Sequence, residues 1–289
     1  MLPRKARLVL ATVGMLVITS ACTTINGPAS SGVTLSEEPL LGKFVWHDLI
    51  TDDVDAAREF YGELFGWTFE TTTRPANDDP YTLIKSGEKY VGGIVQLDDP
   101  EDGTDYSRWL GYVSVEDVHI AASLTVEAGG NVLVQPFTVP GIGYVAGIQD
   151  PQGAVLGVIR SKVGDPSDDP EPGPGAVVWN ELVADDAQTA AEFYESLTGL
   201  EQSNIERRGG TYTLLKSGPV ARAGILQNPG SELLPNWITH FSVANPLATS
   251  ATAIRAGGNI LIEPSPEFRE GTVALLTDPT GAIFMVQRM

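Results

Sequence analysis

The residues best suited to chemistry come in two matched pairs. Trp46 and Asp48 stand two apart in FVWHDLI, and Trp179 and Glu181 stand two apart in VVWNELV, 133 residues further on. Side chains two apart on a strand share a face, so each indole is set beside a carboxylate. The ring offers stacking area and the carboxylate offers directional hydrogen bonding or contact with a cation, which together equip a small-molecule site. The same pattern also suits a tryptophan packed as core with its acid reaching water at a strand end. Tyr112 and His240 correspond to one another on a later strand and are candidates to face the two pairs, which would give the halves different ligands. Gln96 and Gln227 also correspond and are candidate hydrogen-bond donors from a fourth strand.

These residues sit in a chain that repeats itself. Residues 44–70 return as 177–203, YTLIKSG (81–87) as YTLLKSG (212–218), EAGGNVLVQP (127–136) as RAGGNILIEP (255–264), and DPQGAVLGV (150–158) as DPTGAIFMV (278–286). A duplicated unit of about 115 residues, in unchanged order, makes two domains the natural division. Within the first copy, residues 45–50 are expected as a strand. Asp53 then supplies N-cap chemistry, Ala57, Phe60, Tyr61 and Leu64 fall at helical spacing, and Gly66 closes the helix. Strands are expected at 67–71, 81–86 and 91–97. A fainter version of the same unit follows, with strand 110–115, helix 118–128 and strands 132–136, 143–148 and 154–159. Phe60-Tyr61 and Phe193-Tyr194 are expected to be packing residues, and Gly129 and Gly257 helix C-caps.

The order strand, D-x-x-x-A-x-x-F-Y helix, G-G-N strand, D-P-x-G turn and closing strand resembles the vicinal oxygen chelate superfamily. That group includes glyoxalase I, bleomycin-resistance proteins, fosfomycin-resistance enzymes and extradiol dioxygenases. The resemblance runs over 42–289 and implies an α+β fold of tandem paired βαβββ modules, four modules in two domains at 42–161 and 176–289. In such proteins paired modules curl their sheets around a cup, and a divalent metal there chelates neighbouring oxygens of the substrate.

The resemblance also implies where metal ligands would stand. The first falls on Trp46 and Trp179, the second on Trp109 or Leu110 and on Trp237 or Ile238, and the third on Gly157 and Met285. None of these side chains coordinates a hard or borderline cation, which calls for His, Glu, Asp or Gln donors. The chain has three histidines. His47 is one residue off the ligand register and is expected to turn toward the helix, and His119 and His240 are expected to be structural or surface residues. We therefore expect no metal ligand and no cofactor, and small-molecule binding or sequestration as the function, since bleomycin-resistance proteins use such a cup for binding alone. The alternative is a metal-dependent lyase, isomerase or dioxygenase with relocated ligands, for instance Asp48 with His47 or Glu181 with His240. A scaffold with filled cups that binds protein partners is a third reading.

With 42% apolar and 19% charged residues, the chain can bury a core in each half. A formal net charge of -19 argues against nucleic acid as a partner, because neutralising phosphates needs a basic face. Residues 1–22 combine a basic start (Arg4, Lys5, Arg7), an apolar run and a small-residue stretch ending at Cys22, the single cysteine. That arrangement resembles a bacterial lipoprotein signal, which would lipidate Cys22 and hold the protein at an extracytoplasmic membrane face; secretion without an anchor is the alternative. Residues 23–41 are expected to be a flexible tether and 162–175, rich in proline and acid, an unpacked linker. The duplication suggests a monomer with its domains paired internally.

Overall fold

The computed structural model describes residues 35–98, 105–207, 210–230 and 233–289. Residues 1–22, read from sequence as a lipoprotein-type signal ending at Cys22, lie outside them. Each half folds as an eight-stranded sheet carrying two helices. In the first half the elements are β1 (Phe44–Thr51), α1 (Val54–Phe65), β2 (Thr68–Thr73), β3 (Pro80–Ser86), β4 (Lys89–Gln96), β5 (Arg108–Ser114), α2 (Val118–Glu127), β6 (Asn131–Val139), β7 (Gly143–Gln149) and β8 (Val155–Ser161). The second half gives β9 (Val177–Ala184), α3 (Ala187–Thr198), β10 (Glu201–Arg207), β11 (Gly210–Ser217), β12 (Val220–Gln227), β13 (Asn236–Val243), α4 (Pro246–Arg255), β14 (Asn259–Ile262), β15 (Val273–Thr277) and β16 (Ile283–Arg288). Strand order is β2-β3-β4-β1-β5-β8-β7-β6 in one sheet and β10-β11-β12-β9-β13-β16-β15-β14 in the other. Each sheet is thus two βαβββ modules joined where β1 meets β5, or β9 meets β13, antiparallel.

The helices form where the repeated sequence caps them. Asp53 accepts from Ala56 N and Asp186 from Thr189 N, each satisfying one of the free amides of a first turn, and Gly66 and Gly199 end the helices in the left-handed conformation. Helix α1 buries Ala57, Phe60 and Tyr61, and α3 buries their counterparts Ala190, Phe193 and Tyr194, as their spacing predicts.

The two larger cores are shared between the halves. One joins Val113, Val118, Ile148 and Leu156 of the first sheet to Leu182, Phe193, Tyr194 and Trp237 of the second; the other joins Phe60, Tyr61, Trp67 and Trp109 to Phe241, Leu276 and Phe284. Helix α1 packs on α4 and α2 on α3, so the helical faces of the sheets meet and the opposite, concave faces turn outward. Reciprocal bonds lock this pairing. Tyr61 OH donates to Asp278 Oδ2 (3.1 Å) and Tyr194 OH to Asp150 Oδ2 (2.8 Å), each carboxylate belonging to the D-P-x-G turn of the other half. At the centre, His47 Nε2 donates to Asn180 Oδ1 at 2.9 Å, and these two residues are equivalents under the duplication.

Two expectations need correction. Residues 35–41 and 162–175, read as tether and loose linker, are docked: Asp165 is buried and accepts from Leu40 N and Ser114 Oγ (both 2.7 Å). Asp168 pairs with Lys43 (2.8 Å) and Arg222 (2.7 Å), tying the linker to both halves. Polar, proline-rich composition identified a segment without regular structure, but its acids find specific partners.

Candidate functional site

Strand alternation carries Trp46 and Asp48 of β1 onto the concave face, where β5 lies opposite with Tyr112 facing Trp46 and Leu110 facing Asp48. In the second half His240 faces Trp179 and Ile238 faces Glu181. This settles the register left open by the sequence. Leu110 and Ile238 belong to the cups, whereas Trp109 and Trp237 are buried on the helical side, donating to Tyr61 OH (2.8 Å) and Tyr194 OH (2.9 Å).

In the first cup, Trp46 Nε1 lies 2.9 Å from both Asp48 Oδ1 and Tyr81 OH, and Tyr81 OH donates to Asp48 Oδ1 at 2.6 Å. Tyr112 also hydrogen-bonds Asp48. Burial pushes the Asp48 carboxyl above the usual range, and the donors from Tyr81, Trp46 and Tyr112 and the field of Arg74 offset part of that rise. Two glycines make the arrangement possible. A Cβ at Gly93 would sit 1.9 Å from Tyr81 OH, and one at Gly157 would sit 2.2 Å from the Tyr112 ring. Gly157 is the third expected ligand position, so an aromatic ring rests over the backbone where a metal-binding side chain would have to begin.

The second cup reuses the frame with different contents. Trp179 Nε1 donates to Tyr212 OH (2.9 Å), Tyr212 hydrogen-bonds Glu181, and a Cβ at Gly224 would lie 1.9 Å from Tyr212 OH. Glu181 is 1% exposed and forms an ion pair with Arg269. Burial works to raise the Glu181 carboxyl, but the charges of Arg269 and His240 and hydrogen bonds from Arg269 and Tyr212 outweigh it and hold it below its usual value. Burial keeps His240 itself below the ordinary histidine range, so the guanidinium is the cation that matters. His240 Nδ1 donates to Gln287 Oε1 at 2.9 Å, leaving Nε2 buried, without a hydrogen-bond partner and 3.8 Å from Glu181 Oε2. Val183, Ile238, Val273, Leu275 and Met285 form an apolar floor.

Arg269 reaches the cup from a single 3-10 turn, Arg269–Gly271, whose three residues all have positive φ (48°, 55° and 69°). β14 stops at Ile262, and the chain leaves the sheet through Pro264 and Pro266, which have no N–H to give a ladder. In the first half β6 continues to Val139.

Gln96 and Gln227 do not join the cups. They fall on the same strand face as the core residues Ile94 and Ile225, toward the helices, and are exposed at strand ends. Gln227 accepts from Ala187 N (3.1 Å) and donates to Asp185 O (2.6 Å), bracing the start of α3. Their fault as candidates was parity, since both lie an even number of residues from a core position. His47 likewise points away from Asp48 and cannot share a metal with it. Tyr81, Tyr212 and Arg269 were not singled out from sequence; the recurrence of YTL[IL]KSG was the available signal for the tyrosines.

A divalent cation does not fit the donors present. The expected positions hold Trp46, Leu110 and Gly157 in one cup and Trp179, Ile238 and Met285 in the other, and no group of three or more His, Cys, Asp or Glu side chains that could hold a metal occurs among the described residues.

Four βαβββ modules, paired into two cupped sheets with aromatic and carboxylate groups inside, define the chain as a tandem chelate-fold protein with altered cup contents. It belongs to the glyoxalase/bleomycin resistance protein/dioxygenase superfamily. Residues 176–286 match the family described in those words, and residues 43–77 match the bleomycin resistance protein-like N-terminal family. The chain is 32% identical over 244 residues to "Putative glyoxylase CFP32" of Mycobacterium tuberculosis (strain CDC 1551 / Oshkosh), covering 83% of this chain and 92% of that one. It is 34% identical over 258 residues to "Anthracycline biosynthesis protein DauV" of Streptomyces sp. (strain C5), covering 85% and 92%. Among solved structures, the Mn(II)-bound glyoxalase from Novosphingobium aromaticivorans superposes with a TM-score of 0.57 at 16% identity, covering 86% of this chain and 82% of that one. The 2,3-dioxygenase LapB from Pseudomonas sp. KL28 gives 0.56 at 14%, covering 86% and 93%. These structural likenesses concern the fold.

Proposed function

We propose that the protein binds or sequesters a small molecule in its cups without a metal ion. The observation that carries this reading is the replacement of every expected donor position by an indole, an aliphatic chain, a thioether or a bare glycine. Around those positions stands an aromatic frame, Trp46–Tyr81–Tyr112, that holds Asp48 in place with hydrogen bonds. Such a frame suits recognition: rigid rings give contact area at low entropic cost, and one buried carboxylate gives direction. The basic, apolar and small-residue order of residues 1–22 supports attachment through a lipid on Cys22 and work at an extracytoplasmic membrane face. No helix among the described residues is long and apolar enough to cross a membrane.

Glu181 and His240 favour one second reading, an enzyme with relocated ligands in the second cup, because both are buried and their side chains approach to 3.8 Å. Against it, Arg269 already occupies Glu181. Native mass spectrometry of the full chain, extracted gently and treated with chelator, tests the main reading. A small molecule retained after chelation agrees with it, and loss of the ligand together with a metal contradicts it.

A further inference from the structure

We propose that the first cup recognises an organic cation, a protonated amine or guanidinium carried on an apolar or aromatic body, with Asp48 as its counter-ion, and that Arg269 of the chain itself fills the corresponding place in the second cup. This rests on the binding reading above and names the ligand class for that site. The two cups are copies of one frame: Trp46, Tyr81 and Asp48 correspond to Trp179, Tyr212 and Glu181 in sequence and in hydrogen bonding. In the second copy the carboxylate is met by a guanidinium, whose carbon also lies 5.9 Å from the Tyr212 ring and 5.7 Å from the Phe268 ring, within cation–π range. The frame therefore displays its own preferred guest.

In the first copy that guest is missing from the sequence. The residue corresponding to Arg269 is Gly141, which is exposed and has nothing within 4 Å of where a side chain would begin. Asp48 has no ion pair among the described residues. Arg74 reaches it only through its field, its guanidinium being held by Asp79 at 3.1 Å. Trp46, Tyr81 and Tyr112 around Asp48 are half-buried. A buried carboxylate ringed by three aromatic side chains and lacking a counter-ion is complementary to a cation with a flat or apolar body. The second cup holds a further sign of the same preference: His240 Nε2, with its proton on Nδ1, is an unpartnered buried acceptor next to Glu181 that an N–H-rich guest would satisfy once Arg269 is removed.

The test is calorimetric titration of the full chain with benzamidine and 2-phenylethylamine against their neutral counterparts benzamide and 2-phenylethanol, with tryptophan fluorescence as a second readout. One equivalent of each cation should bind, the neutral compounds at least tenfold more weakly. Asp48→Asn should lose at least tenfold in affinity for the cations, and Arg269→Ala should gain a second equivalent. Equal binding of cation and neutral counterpart, unchanged affinity in Asp48→Asn, or no binding of either cation overturns the proposal. Should Asp48→Asn fold poorly by circular dichroism, Arg269→Ala and Arg269→Gln decide alone: a second equivalent supports the assignment, and its absence in a folded variant overturns it. Neutral compounds binding as well as cations would sink the ligand class and leave the binding reading intact. A stoichiometric divalent metal would sink metal independence and leave the titration result standing.

Discussion

Arg269 decides the electrostatics of the second cup. A carboxylate that is 1% exposed is tolerated because a guanidinium and a phenol meet it, and removing one partner of such a pair leaves an uncompensated buried charge. Arg269→Ala should therefore destabilise the protein by about 3 kcal/mol or more in urea unfolding. Part of that loss should return in the double variant Glu181→Gln/Arg269→Ala. His47 gives a pH-dependent counterpart. Burial lowers its pKa to about 4, against an ordinary value of 6.5, with the bond to Asn180 opposing the shift. The unfolded chain thus holds a proton that the folded chain does not between those values. Stability is complete above pH 6.5 and falls as pH drops toward 4, by about 3 kcal/mol in all. His47→Asn, which copies the residue at the mirror position, should flatten this part of the stability curve. Buried carboxyls such as Asp48 and Asp278 are shifted up and slope the other way, so the comparison of wild type with His47→Asn isolates the histidine. The Trp-x-acid pairs were legible because alternation within one strand needs no tertiary knowledge. Tyr81 and Arg269 were not, since nothing local says which strand crosses the face or that a proline-broken hairpin folds back.

At the scale of elements, the D-P-x-G turns do more than connect strands. Asp278 Oδ1 accepts from Thr280 N (3.0 Å), Ala282 N (2.9 Å) and Thr280 Oγ1 (2.9 Å), while Oδ2 accepts from Tyr61 OH of the other half. Burial raises its carboxyl, and these donors resist the rise. Asp278→Ala strands several buried donors at once and should cost about 2 to 4 kcal/mol, read as a lower denaturation midpoint. Tyr61→Phe should cost less, because it removes one donor to Asp278 and the acceptor of Trp109 Nε1 but leaves the ring packed. The repeated cap and turn residues made the order of strands and helices readable, and the structure moves the expected boundaries by a few residues. What the sequence concealed was the divergence of the β6–β7 and β14–β15 connections. The two connections have equal lengths and share a proline at 136 and 264, but β6 runs on to Val139 whereas β14 stops at Ile262.

For the molecule as a whole, each core draws on both halves, so neither sheet can bury its helical face alone. Residues 176–289 expressed by themselves would expose Leu182, Phe193, Phe241 and Phe284 and should aggregate or self-associate. Co-expressed with 1–161 they should return as a complex, which size-exclusion chromatography would resolve. The duplication was visible from the motifs, and so was the outline of two cups. That the helical faces meet and the cups open outward was not, because pairing across the pseudo-twofold is a matter of long-range complementarity, Tyr61 with Asp278 and His47 with Asn180. The account stands or falls on what occupies the cups. Elemental analysis of the full chain, grown in medium supplemented with manganese, iron and zinc and purified without chelator, puts this to the test most directly. Metal well below one equivalent per chain is the predicted result; one tightly held equivalent per cup, lost together with ligand binding on chelation, would contradict it.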